Sequence, residues 1–371
     1  MPEIRVGFLL FVLKIDARFF IKMNNIYLAS LSINTQYFTM RKSLVMAAVA
    51  AMVLAGCSQD DVMNPGVDQG NGTPIAFRTL TNKTRTTEMD KDNIGDFRVS
   101  AMKEGSSTFD VMENMAVLRT IGLDTWTYSP IKYYPNADKS IFFAYSPSGS
   151  VNVSSFGASA VDQAVIEYTV PLIETDTKKA EDFLVATTTV AKADYNRAAT
   201  MSFKHALSMA TFAAKNTSNA ATFVISKIEL IDLTNKGTLT ADGATLTWAT
   251  TGTQDLAYEA SLPKAGVSIL PGGTSAIAQG LTSANEGLMI LPQDAKATTG
   301  VKVYFNAVDG EYENLFPINN SKVFTLPAGF KFEMGKKYAF EFTFDKLNEI
   351  EFDVEVGTWT LSPEDLTPVT P

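Results

Sequence analysis

The chain has 371 residues, with 40 Asp and Glu against 31 Lys and Arg, a single His and a single Cys. A formal net charge of −9 disfavours nucleic acid and anionic surfaces as partners. One cysteine excludes an intrachain disulfide, and one His without a second thiol leaves little for metal ligation or nucleophilic catalysis.

Residues 1–39 interrupt their apolar stretches with Lys14, Asp16, Arg18 and Lys22, so they make a poor membrane-spanning helix. "MRKSLVMAAVAAMVLAGCSQDD" follows, with Arg41 and Lys42 before an uncharged apolar run and Leu54-Ala55-Gly56-Cys57 at its end. Cations that stay on the cytoplasmic side, an apolar helix for the translocon and small residues at the cut are the parts of a secretory signal. The cysteine narrows it to a lipoprotein signal, in which the thiol is acylated and cleavage falls just before it. The expectation is that Met40 is the initiator, residues 1–39 are a start-site artefact, 40–56 are the signal peptide and Cys57 is lipidated. A buried core helix with a chance cysteine is the competing reading.

Residues 1–56 hold six of the 31 Lys and Arg and two of the 40 Asp and Glu, which leaves 25 against 38 from Cys57 onward, a net charge of −13. That stretch exceeds what one core usually serves, so two domains are expected. Residues 57–73 are polar, acidic and rich in Gly, Pro and Asn, the composition of a flexible tether.

From Ile75 the pattern has period two. "YAFEFTFD" puts Tyr338, Phe340, Phe342 and Phe344 on one face, and "IEFDVEVG" does the same with Ile350, Phe352, Val354 and Val356. "SIFFAYS" and "VKVYFN" read alike, and Gly, Asn, Asp and Pro clusters separate the runs. Such patterning predicts half-buried antiparallel strands and an all-β chain of sandwiches. "VAKADYNRAAT" interrupts the pattern and marks a boundary between an N-terminal domain, 74–197, and a C-terminal domain, 198–371. The second is expected to open with a new pair of strands in "TFVISKIELIDLTNKGTLT".

No catalytic, cofactor or metal site is expected, and the chain is not read as an enzyme. His205 shares parity with Met201, Phe203, Leu207 and Met209, which reads as a hydrogen-bonded core histidine before it reads as a general base. "EMDKDNIGDF" collects Glu88, Asp90, Asp92 and Asp96, with Gly95 where a calcium loop turns, but Ile94 fills a ligand position and Ala101 stands where the bidentate Glu belongs. A solvated acidic loop is the better reading. Trp126, Tyr128, Tyr133, Tyr134, Trp248 and Trp359 could stack on sugars, though aromatics at strand spacing are mostly core. There is no G-x-S-x-G, P-loop or zinc spacing, and nothing favours a glycosidase carboxylate pair.

A lipobox, an acidic linker, "IAF", then "TRTT", "WTYSPIKYYP" leading to "FFAYSPSG", and "FKHALSMATF" in the second half occur here in that order. In this order they resemble the fimbrillin family of Bacteroides-type bacteria, the Mfa-like and FimA-like pilins, over most of residues 57–371. Ser58-Gln59-Asp60-Asp61 is loosely similar to the surface-export signal of lipoproteins from such bacteria. The resemblance implies two tandem transthyretin-like β-sandwiches, anchored to the outer membrane through lipid on Cys57 and assembled at the cell surface into type V pili. An Arg-specific protease would remove the N-terminal strand, and a strand of another pilin subunit would fill the groove.

That mechanism sets requirements the sequence can meet. The strand to be lost should carry inward apolar residues, as "PIAFRTL" does with Ile75 and Phe77. Arg85, flanked by small polar residues, is the expected processing site, with Arg78 inside the strand as runner-up; a plain loop cation is an equal reading of Arg85. Residues within 350–371 are the expected donor, marked by Ile350, Phe352, Val354 and Val356, unless 350–356 is an ordinary final strand and only the last residues are loose. A chain of residues 86–371 should then oligomerise, and loss of 358–371 should weaken this. The alternative function is a non-polymerising surface lipoprotein or tip adhesin that binds a glycan or host protein.

Overall fold

Period-two segments fold as strands, and no α-helix occurs among the described residues. The computed structural model describes residues 72–79, 94–120, 125–172, 181–282, 287–307, 320–345, 350–359 and, for the backbone, 366–368. The first half supplies Phe77–Thr79 (β1), Asp96–Lys103 (β2), Met112–Arg119 (β3), Trp126–Thr127 (β4), Lys139–Ser146 (β5), Val153–Ala160 (β6) and Gln163–Thr169 (β7). Leu184–Ala191 (β8), Ala199–Met201 (β9) and Lys204–His205 (β10) follow. Six of them form an antiparallel sheet in the order β10-β8-β5-β2-β3-β4, while β1 pairs with β9.

β5 corrects one expectation. Ser140–Ser146 was to be half-buried, yet every residue of it is buried. Phe142 and Ala144 point into a cluster with Phe97, Val99 and Leu184, whereas Ile141 and Phe143 enter another with Met102 and Ala164. A central strand covered on both faces has no solvent side, so its sequence runs continuously apolar.

The second half supplies Ser208–Asn216 (β11), Phe223–Leu233 (β12), Lys236–Asp242 (β13), Thr245–Thr251 (β14), Leu256–Glu259 (β15), Val267–Ile269 (β16), Gln279–Gly280 (β17) and Leu288–Ile290 (β18). Gln293–Asp294 (β19), Gly300–Ala307 (β20), Asn320–Thr325 (β21), Lys331–Phe332 (β22), Lys336–Phe344 (β23), Ile350–Thr358 (β24) and Leu366–Pro368 (β25) complete it. One sheet runs β17-β11-β23-β24-β25, with β18 also on β11, and another runs β15-β12-β20-β21, with β16 on β12. Tyr338, Phe340, Phe342 and Phe344 of β23 meet Val301, Val303 and Phe305 of β20 in the largest core, as alternation requires.

β12 and β13 are the two strands expected in this stretch, but they do not pair with each other. β12 bonds β15 and β20, and β13 bonds β7 and β14. The chain changes sheets at Thr234-Asn235, where side chains replace the ladder. Gln293 accepts the Thr234 N–H at 2.9 Å and donates to its carbonyl at 2.8 Å, and the Tyr258 hydroxyl donates to the same carbonyl at 2.6 Å. The Asn235 amide donates to the Val170 carbonyl at 2.7 Å. A buried corner needs these partners because bare backbone groups there would cost about 1–3 kcal/mol each.

β6, β7, β13 and β14 form a four-stranded sheet that takes strands from both sides of residue 197, and residues 69–371 form one compact unit. The place read as a boundary is a single 3₁₀ turn, Lys192–Asp194, followed by β9. Close packing also fixes glycines. A Cβ on Gly300 would sit 2.5 Å from the Phe324 carbonyl oxygen. Gly300→Ala is therefore expected to destabilise the fold by about 1–3 kcal/mol, read as a lower midpoint of urea unfolding.

Candidate functional site

The N-terminal strap is the feature on which a function can be built. Ile75 and Phe77 are buried while Ala76 and Arg78 are exposed, so the alternation read in "PIAFRTL" is realised. The strap lies between two chain-distant segments. On one side the Ile75 N–H donates to the Lys132 carbonyl and the Tyr134 N–H to the Thr73 carbonyl, both at 2.9 Å. On the other the Ala199 N–H donates to the Ala76 carbonyl at 2.8 Å, and β1 runs parallel to β9 with Phe77 opposite Ala199 and Thr79 opposite Met201.

Side chains close the slot. Phe77 meets Phe97, Tyr128 and Phe142 edge-on, at centroid distances of 5.7, 5.6 and 5.8 Å. The Tyr128 hydroxyl donates to the Ile75 carbonyl at 2.7 Å. Burial pushes the Tyr128 phenol above its ordinary pKa, so this donor stays protonated at neutral pH. What the arrangement can do is hold an extended segment by its backbone on both edges and by alternate side chains beneath, which is how a strand-shaped ligand is recognised.

Arg78 projects outward from β1, and its Nε donates to Thr200 Oγ1 at 2.7 Å. Arg85 and Cys57 lie outside the described residues.

At the other end of the chain, β24 pairs with β23 over its whole length, from Ile350 opposite Phe344 to Thr358 opposite Lys336, and β25 pairs with β24 at Glu355–Gly357. Val354 is buried, while Ile350, Phe352 and Val356 are half-buried. Phe352 stacks on Phe324 at 5.1 Å and on Phe340 at 5.7 Å. Directly beyond β24 the Trp359 N–H donates to the Gly335 carbonyl at 2.7 Å, and its indole lies flat on the His205 ring at 3.8 Å. His205 is buried, with Nδ1 2.7 Å from Asp182 Oδ1. It is the core histidine that parity suggested.

The remaining candidates are structural where they can be seen. Ile94 is fully buried, and Asp96 accepts the Ser148 N–H at 2.6 Å; Glu88, Asp90 and Asp92 lie outside the described residues. No three His, Cys, Asp or Glu side chains among the described residues are placed to share a metal ion. Trp126 packs on Phe97, Tyr134 stacks on Tyr195 at 4.0 Å, and the Trp248 indole donates to the Ala206 carbonyl at 2.7 Å. Tyr133, in contrast, is exposed. Sequence reading missed the Tyr128 clasp, the pairing of β1 with β9, and the Asp182 and Trp359 partners of His205. Local pattern carries no signal for contacts made across such chain distances.

A model of the fimbrillin-like family matches residues 79–359. Among solved structures, a fimbrial protein from Bacteroides vulgatus is similar with a TM-score of 0.57 at 17% identity, over 77% of this chain and 99% of that one. A candidate cell adhesion protein from Bacteroides uniformis is similar with a TM-score of 0.49 at 17% identity, over 78% of this chain and all, 100%, of that one. No curated protein matches the chain in sequence.

Proposed function

The chain belongs to the fimbrillin-like family, and from that premise we propose that it is the precursor of a fimbrial subunit serving cell adhesion at the outer surface. In this reading it is exported as a lipoprotein through Cys57 and trimmed behind Arg85. It then joins other subunits when one subunit's tail fills the slot another has lost. The two-domain division at residue 197 belongs to the same proposal, with the sheet of β6, β7, β13 and β14 as the joint.

The observation that carries it is the strap. Residues 73–79 complete the core of the first half, and among the described residues they are bonded to segments far away in sequence, so a cut behind them would leave a formed slot with backbone donors and acceptors on both rims. An incoming strand satisfies both rims and the apolar floor at once. The donor in this reading lies within residues 350–371, and the end-to-end pairing of β24 with β23 favours the part beyond Trp359, 360–371, over β24 itself.

Arg-specific protease treatment of the purified chain tests this. Mass spectrometry should find a new N-terminus at Thr86, and the trimmed protein should form ladders that resist SDS without heating. A chain that is cut there and stays monomeric at high concentration would count against strand exchange. A cut at Arg78 instead would move the processing site into the strap itself.

A further inference from the structure

Edge strands expose unpaired N–H and C=O groups, and proteins blunt them with charge, proline, bulges or shortness. The described edges follow this rule except at one strand. β3 carries Glu113 and Arg119 and shifts register against β2. β6 slips twice against β7, and β21 holds Lys322 at its middle. β4 and β10 have two residues each, and β15 ends in Glu259. β14, Thr-Leu-Thr-Trp-Ala-Thr-Thr, has neither charge nor proline, and all seven of its residues pair with β13 without a shift, from Thr245 opposite Asp242 to Thr251 opposite Lys236. Leu246 and Trp248 pack on the core, and the other five residues are exposed.

We infer that the free edge of β14 joins two copies of this chain, antiparallel about a twofold axis at Trp248. The strand complements itself in that arrangement. Thr245 comes opposite Thr251, Leu246 opposite Thr250, Thr247 opposite Ala249 and Trp248 opposite Trp248, so uncharged residues meet throughout, with an aromatic pair on the axis and no like charges between the copies. Leu246 and Trp248 of both copies stay on the core side, so neither core is opened.

The uncharged edge permits a second copy where the rest of the surface repels one, and the charges behind it favour this orientation. Two chains of net charge −9 repel over most of their surfaces, and this edge brings no acid against acid. One strand behind it, Asp242 and Lys236 are both exposed at opposite ends of β13. Antiparallel pairing sets Asp242 of each copy at the same end as Lys236 of the other; parallel pairing would set Asp by Asp and Lys by Lys. Three strand spacings separate them, about 14 Å, so the attraction is screened and small. It orients the contact, and the backbone ladder holds it. A closed twofold contact also ends in a dimer and leaves the long β14 edge no longer open.

This surface is separate from the strap and does not depend on strand exchange. Sedimentation velocity on the full, untrimmed chain under reductant should show a monomer–dimer equilibrium. Ala249→Lys and Thr247→Lys, both at exposed positions, should each weaken the dimer by at least about tenfold, with the far-ultraviolet circular dichroism and the monomer's urea-unfolding midpoint unchanged. Ala249→Thr should keep the dimer. Ser159→Lys, on the opposite edge of the same sheet, should leave it untouched. A monomer at all concentrations overturns the proposal, as does a dimer indifferent to Ala249→Lys, a dimer lost with Ser159→Lys, or an open ladder of species in place of a dimer.

Discussion

Phe77→Ala is expected to lower the free energy of unfolding by about 3–5 kcal/mol, measured by urea titration of the untrimmed chain. Three rings surround Phe77 edge-on, and each belongs to a segment anchored elsewhere: Phe97 to β2, Tyr128 to the turn after β4 and Phe142 to β5. Such rings cannot collapse together onto the space left, so the cavity term adds to the lost burial. Ile75→Ala should cost about 2–5 kcal/mol for the same reason. Arg78→Ala is the control on the same strand; its side chain is exposed and its described hydrogen bond is to Thr200 Oγ1, so a change within about 0.5 kcal/mol is expected.

The size of the first effect bears on assembly. Burying Ile75 and Phe77 contributes about 1.5–3 kcal/mol each, and the backbone bonds to Lys132, Tyr134 and Ala199 add to that. A chain that has lost the strap carries that deficit until another strand restores it, which is the driving force strand exchange needs. If Phe77→Ala costs less than about 1 kcal/mol, the strap is not part of the core and the slot has little to offer an incoming strand.

How far the sequence discloses this molecule depends on how many faces an element buries. β23 was legible because one face meets the core and the other does not, so Tyr338, Phe340, Phe342 and Phe344 announce themselves by parity. β5 was misread because both faces are covered, which erases the polar half of the pattern. Parity also placed His205 correctly, but it could not supply Asp182 or Trp359, since a period describes one strand and not its neighbours. The Thr234-Asn235 corner, which sends the two strands to different sheets, was not legible for a related reason. A polar Gln293 and a Tyr258 hydroxyl from later in the chain stand in for a strand ladder, and nothing near residue 234 encodes them. The strap was legible as a strand, but its parallel partner, reached across the 122 positions between Arg78 and Thr200, was not.

Ending the chain after Trp359 should leave the untrimmed fold within about 1 kcal/mol of the full chain, yet abolish the SDS-resistant ladders of the protein trimmed to residue 86. Of what is removed, the described part is Leu366–Pro368, which pairs with β24 at three positions only. Ending the chain after Gly357 is a different experiment. It removes Trp359, whose buried indole lies on His205 at 3.8 Å and whose backbone N–H donates to the Gly335 carbonyl. That loss should cost about 3–5 kcal/mol, and Trp359→Ala alone should reproduce most of it. The sequence-based cut at 358 would have confounded the two effects, because it deletes the anchor together with the tail. Trp359 is the last described residue buried in the core, and assembly by tail donation requires that β25 give up its three pairs with β24 while Trp359 stays in place. If the protein ending at Trp359 and trimmed to residue 86 still forms ladders, the donor lies elsewhere and β24 itself must leave β23, a nine-residue ladder, before it can be given away.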